Sequence, residues 1–149
     1  MGKIKKKILA SVVVCLVASM MFAIPVFAST NYFSKTTVKL NALNGGISTK
    51  STLSSGSVSG TNPSVSDVEL YCNVSSGTDP YTLYVKSPEG TLASISGPIS
   101  SGTITTDVFK GENTSGKWTV YIQNSGVSYN GNIYPVSTVT VTLKVQYDY

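Results

Sequence analysis

The sequence predicts an all-β chain folded as an antiparallel β-sandwich of jelly-roll type, and three observations carry that expectation. Apolar and polar residues alternate with period two in several short segments. Apolar residues nowhere recur at helical spacing, and clusters of Gly, Ser, Asn and Pro punctuate the segments. Alternation with period two sends successive side chains to opposite faces of a strand, so each segment has one face to bury. Several short strands joined by polar turns, with no helix to cover them, bury those faces by stacking one sheet on another.

The first segment is an address rather than a strand. Lys3, Lys5, Lys6 and Lys7 form a basic start, Ile8 to Ile24 is apolar apart from Ser11 and Ser19, and Val26-Phe27-Ala28 ends in the small residue that signal peptidases require. We expect a signal peptide, Met1 to Ala28, cut between Ala28 and Ser29, and a secreted product. A retained anchor fits less well, because Pro25 and the cleavage site follow at once and the apolar run is marginal for a bilayer span. Lipidation at Cys15 is disfavoured by Val14 before it and by the short apolar sequence upstream.

Residues 29–149 then form one domain, whose first part, 29–62, is partly loop-like. Thr37 to Leu43 reads as a strand with Val38, Leu40 and Ala42 on one face, and Asn44 to Asn62 as a Ser, Gly and Thr loop with room for one short strand. Val68, Leu70, Cys72 and Val74 alternate with Asp67, Glu69, Tyr71 and Asn73, and Tyr81, Leu83 and Val85 alternate with Thr82, Tyr84 and Lys86. Ser87-Pro88-Glu89-Gly90 reads as a tight turn with proline fixing φ, and Thr103 to Phe109 as a further strand after Gly97-Pro98. Trp118, Val120 and Ile122 make the next inward row, and Val139, Val141, Leu143, Val145 and Tyr147 the last and cleanest one.

Charge and composition exclude several functions. The whole chain carries 11 basic and 7 acidic residues, a net charge of +4, but four lysines leave with the leader and every acid stays. The secreted part is formally neutral, its lysines are scattered and it has no arginine, so the overall charge points to neither a nucleic acid nor an anionic surface, and no membrane is an expected partner after cleavage. With no histidine, a Ser-His-Asp triad, a Cys-His pair and imidazole ligation of a metal cannot be built, and the abundant serines sit where turns explain them. Asp67 and Glu69 share a strand face, but it is the solvated one opposite the Val68 and Leu70 row. No catalytic residue is assigned. After cleavage Cys72 is the sole cysteine, so no internal disulfide forms, and its parity predicts a buried thiol.

The segments Val68 to Val74, Thr78 to Leu83, Ser87-Pro88-Glu89-Gly90-Thr91, Gly111 to Val120 and Val139 to Val145 resemble, in order, the motifs of the P domain. This is the β-sandwich that follows the subtilisin-like catalytic domain in proprotein convertases and many bacterial proteases. The similarity runs from about Ser51 to Val145, and the tryptophan block G-E-N-T-S-G-K-W is its most specific part. Two departures stand out: the family's His-Thr pair is missing, and Pro80-Tyr81-Thr82 is inserted after Asp79. The resemblance implies a galactose-binding-like jelly roll that stabilises or tunes a neighbour and contributes no catalyst. Standing here without a catalytic domain, such a module is expected to bind a protease in trans, another partner or itself.

The resemblance also implies a structural Ca²⁺. Asp79 and Glu112 occupy acidic positions in two turns expected to meet at one end of the sandwich, with Asn113, carbonyls or water completing the shell. The alternative is that Asp79 supports its own turn and Glu112 is solvated. Trp118 suggests sugar stacking, yet its parity with Val120 and Ile122 assigns it to the core, leaving Tyr71, Tyr84 and Tyr121 as the outward aromatics. The long, threonine-rich last strand would add to another sheet if it lay at an edge; in a central position it would be an ordinary strand. The expectation is a secreted, non-enzymatic module contacting a protein partner or a surface glycan, with a self-associating matrix or adhesive protein as the alternative.

Overall fold

In the computed structural model, residues 29–127 and 134–149 are described. The expected signal peptide, Met1 to Ala28, lies outside them. The described residues form nine strands: β1 (Thr30–Thr36), β2 (Leu40–Leu43), β3 (Ser51–Ser54), β4 (Ser64–Val74), β5 (Tyr81–Lys86), β6 (Leu92–Ser96), β7 (Gly102–Thr106), β8 (Lys117–Asn124) and β9 (Val136–Asp148). Among the described residues there is no helix. Sheet A runs β1-β9-β4-β7, with β2 also pairing β9, and sheet B runs β3-β8-β5-β6. Every pairing is antiparallel. β1 approaches β3, and β9 approaches β8, so the sheets stack with β6 and β7 together on the opposite side.

Alternation fixes which residues fill the space between the sheets. Val139, Val141, Leu143 and Val145 of β9 face Trp118, Val120 and Ile122 of β8, and Leu70, Cys72, Leu83 and Val85 complete a fully buried layer. Trp118 meets Phe109 edge to face, ring centres 5.2 Å apart, and its Nε1 donates to the Thr114 carbonyl at 3.3 Å. That bond satisfies the one polar atom of the largest core side chain. Val65 and Val68 both face inward although three residues apart, because a bulge between Val65 and Asp67 inserts an extra residue into β4.

Several sequence expectations need correcting. β1 forms where no strand is expected; it pairs along the C-terminal half of β9, from Thr30 opposite Asp148 to Thr36 opposite Thr142. Val38 is not part of the inward row but is 62% exposed. The chain leaves the ladder between β1 and β2, and Thr37 takes over, its N–H donating to the Val141 carbonyl at 2.9 Å while its Oγ1 accepts from the Val141 N–H at 3.0 Å. β6 is a strand the alternation does not announce. β7 ends at Thr106, so Phe109 reaches the core from the turn that follows, not from a strand. β9 lies inside sheet A, paired by β4 on one side and by β1 and β2 on the other. It therefore offers no edge to another chain.

Candidate functional site

Outside the core, the outer face of sheet B gathers the aromatic and cationic side chains. Tyr84 on β5 stands opposite Tyr121 on β8, and Thr82 opposite Gln123, because both strands send these positions away from the core. The two tyrosine rings stack 4.9 Å apart and within 9° of parallel, Lys50 places its ammonium 5.1 Å from the Tyr121 ring centre, and the Tyr84 hydroxyl donates to Gln123 Oε1 at 3.3 Å. Stacking holds the two rings against each other, and the cation–π contact holds Tyr121 further. Around them lie Thr52, Thr119, Ser94 and Ser96, with Lys86 and Lys117 towards one end. None of the outward positions on these four strands is a carboxylate.

The outer face of sheet A is arranged differently. Glu69 on β4 accepts from Lys144 Nζ at 3.1 Å and from Gln146 Nε2 at 2.6 Å, and Lys144 also lies 5.1 Å from the Tyr32 ring centre. Glu69 and Lys144 are thus matched on their own face, each about a third exposed. Asp67, on the same face as Glu69, is half-buried there, so the pair is a surface feature, as expected from parity.

The residues expected to share a cation are not brought together. Asp79 sits at the start of β9, where its Oδ2 accepts from the Val136 N–H at 2.8 Å and its own N–H donates to the Val136 carbonyl at 2.9 Å. Glu112 sits at the other end of the sandwich, its carbonyl accepting from the Val65 N–H at 2.9 Å. β4, eleven residues long, lies between these ends, a separation on the order of 30 Å. One ion cannot span it. Asn113 turns its Oδ1 back to the Ser115 N–H at 2.8 Å, while its own N–H is held by Glu89 Oε1 at 2.7 Å. Glu112 Oε2 is buried without a hydrogen-bond partner, as are the hydroxyls of Ser87 and Thr114, but among the described residues no group of three acids or thiols gathers around an ion. The donor set does not fit a Ca²⁺ shell of six to eight oxygens.

The motif segments instead support each other as structure. Gly90, at φ +103°, lets its N–H reach the Ser87 carbonyl at 3.1 Å and closes the Ser87 to Thr91 turn. Gly116 packs on that turn so closely that an added Cβ would lie 2.7 Å from Pro88 Cβ. At the opposite end, buried Asn124 donates to Ser137 Oγ at 2.7 Å and accepts from Gly126 N–H at 2.9 Å, and Ser137 Oγ donates to the Asp79 carbonyl at 2.8 Å. This network, which alternation could not reveal, explains why Asp79 is held where it is. Tyr81, within the expected insertion, starts β5 and is buried beside Cys72. Burial pushes the Cys72 thiol up and the Tyr81 phenol up, so both stay protonated at neutral pH and the thiol is inert.

No family model matches the sequence, and no curated protein matches it either. Solved structures do share the fold. The crystal structure of FlhE superposes with a TM-score of 0.55 at 16% identity, covering 82% of this chain and 98% of that one. A serine protease of Aeromonas sobria superposes with a TM-score of 0.58 at 12% identity, covering 86% of this chain but 29% of the protease. At such identities the likeness shows a β-sandwich and nothing finer. The same sandwich thus occurs both as almost an entire chain and as one part of a larger enzyme.

Proposed function

We propose that this chain is a secreted, non-enzymatic binding module of P-domain type that holds an acidic surface glycan on the outer face of sheet B. The observation that carries the reading is the fixed Tyr84 and Tyr121 stack on a face with three lysines and no carboxylate. Sugar rings present apolar C–H faces that stack on aromatics, hydroxyls such as Thr82, Ser94 and Thr119 line the same surface, and the lysines attract a negatively charged polymer.

The test is binding of the secreted form to immobilised acidic and neutral polysaccharides at low and high salt. Retention on acidic polymers that weakens with salt, and that disappears in Tyr84→Ala, supports the reading. Equal retention of wild type and Tyr84→Ala would reject it and leave a protein partner as the contact.

A further inference from the structure

The two lateral sides of the sandwich differ in how they treat an open edge. On one side lie β1, β2 and β3, with Lys35, Lys39 and Lys50 on or beside them and a break in the ladder between β1 and β2. Charges and interruptions of this kind keep edges from pairing with other chains. On the other side lie β6 and β7, and from Leu92 to Thr106 the chain carries no charged side chain. Among the described residues no strand pairs with the free edge of β7. Its backbone donors and acceptors on that edge are available, and Pro98 falls in the connection rather than in either strand.

We propose that β7 pairs antiparallel with β7 of a second copy of this chain, joining the two A sheets across a twofold axis. The sequence of β7 is self-complementary in that register. Centring the pair on Ile104 places Thr103 opposite Thr105 of the second copy in both directions, on the outer face that β7 shares with Tyr71 and Glu69. A threonine pair of that type already joins two strands of sheet A, where the hydroxyls of Thr36 on β1 and Thr142 on β9 meet at 2.9 Å. On the inner face Ile104 is only partly buried against the core, and the same residue of the second copy would cover it. With seven lysines against seven acids after the leader, no net charge opposes the approach of two copies. This inference is independent of the glycan reading, since the outer face of sheet B takes no part in it.

Sedimentation velocity of the secreted form over a concentration series tests it. The weight-average mass is expected to rise from monomer to dimer, and hydrogen exchange of the 103–105 amides to slow as it does. The double variant Thr103→Lys/Thr105→Lys sets lysine against lysine and is expected to weaken the dimer by more than about tenfold. Mixing it with Thr103→Glu/Thr105→Glu is expected to restore a heterodimer, which a folding defect would not allow. Thr52→Lys, on the side that already carries lysines, is expected to leave the mass unchanged. A wild-type monomer at every concentration, a lysine variant that still dimerises, or a mixture that stays monomeric would each overturn the proposal.

Discussion

On the outer face of sheet A, Glu69, Lys144, Gln146 and Tyr32 contact one another, whereas on the outer face of sheet B the stacked Tyr84 and Tyr121 and the lysines around them meet no carboxylate. Both faces grow from the same kind of strand and cover the same core. What separates them is register: β4 and β9 place opposite charges side by side, and β5 and β8 place aromatic rings side by side. A face whose lysine is already paired with a carboxylate has little left to offer an acidic ligand. A face with ordered rings and unmatched cations does.

The strongest way to break the comparison is to remove what both faces rest on. Trp118 is fully buried between the sheets, so Trp118→Ala leaves a large cavity and is expected to cost about 3–5 kcal/mol in urea unfolding. Loss of Phe109 packing and of near-UV signal from the tyrosines on both faces should accompany it. A cost below about 1 kcal/mol would mean that the sheets close over the gap, and that the two faces are less rigidly tied than the core suggests.

Next comes alkaline pH, which probes the seam between the sheets through Cys72 of sheet A and Tyr81 of sheet B. In the folded state both ionise at higher pH than their ordinary values of 9.0 and 10.0, because burial opposes the charged forms. Above pH 9.0 the unfolded chain therefore releases protons that the folded chain keeps, and stability falls as pH rises. Below it the two groups contribute no pH dependence. The slope is about 1.4 kcal/mol per pH unit for each group ionised only in the unfolded state, and Cys72→Ala with Tyr81→Phe should flatten it. An alkaline limb unchanged in that double variant would place the titration elsewhere.

A smaller effect on stability, but a selective one on binding, is expected from the sheet B face. Tyr84→Ala and Tyr121→Ala each forgo a ring stack, about 1 kcal/mol, while retention on an acidic polysaccharide should fall by more than about tenfold. Tyr71, exposed on sheet A, is the matched control: Tyr71→Ala should leave retention unchanged. If all three substitutions weakened retention alike, the difference between the faces would have no functional meaning.

Much of this architecture is written in local pattern, and what escapes the pattern has a physical reason. The inward rows of β4, β5, β8 and β9 are legible because apolar and polar residues alternate over most of each strand. β1 is not, since Thr30 to Thr36 packs only part of Phe33 against the core and takes its order from pairing with β9. β6 hides for a similar reason: Leu92 is exposed and only Ala93 is fully inward. The separation of Asp79 from Glu112 depends on the length and direction of β4, which neither turn contains. Likewise the meeting of Tyr84 with Tyr121 is a matter of long-range register, and a sequence shows only that each points outward.

The least costly substitution is also the sharpest test of the sheet A face. Glu69 and Lys144 are each about a third exposed, so their ion pair is worth about 0–1 kcal/mol and is screened by salt. Glu69→Gln is expected to lower stability by less than about 1 kcal/mol at low salt and by almost nothing at high salt. Its informative consequence lies elsewhere, because it leaves Lys144 unmatched beside Tyr32 and gives sheet A the cation and ring combination that sheet B already has. If unmatched cations next to aromatics are what hold an acidic glycan, Glu69→Gln should gain retention, and the gain should vanish in Glu69→Gln/Tyr32→Ala. Retention unchanged by Glu69→Gln would show that the parallel ring stack of Tyr84 and Tyr121, which sheet A cannot imitate, is the indispensable part.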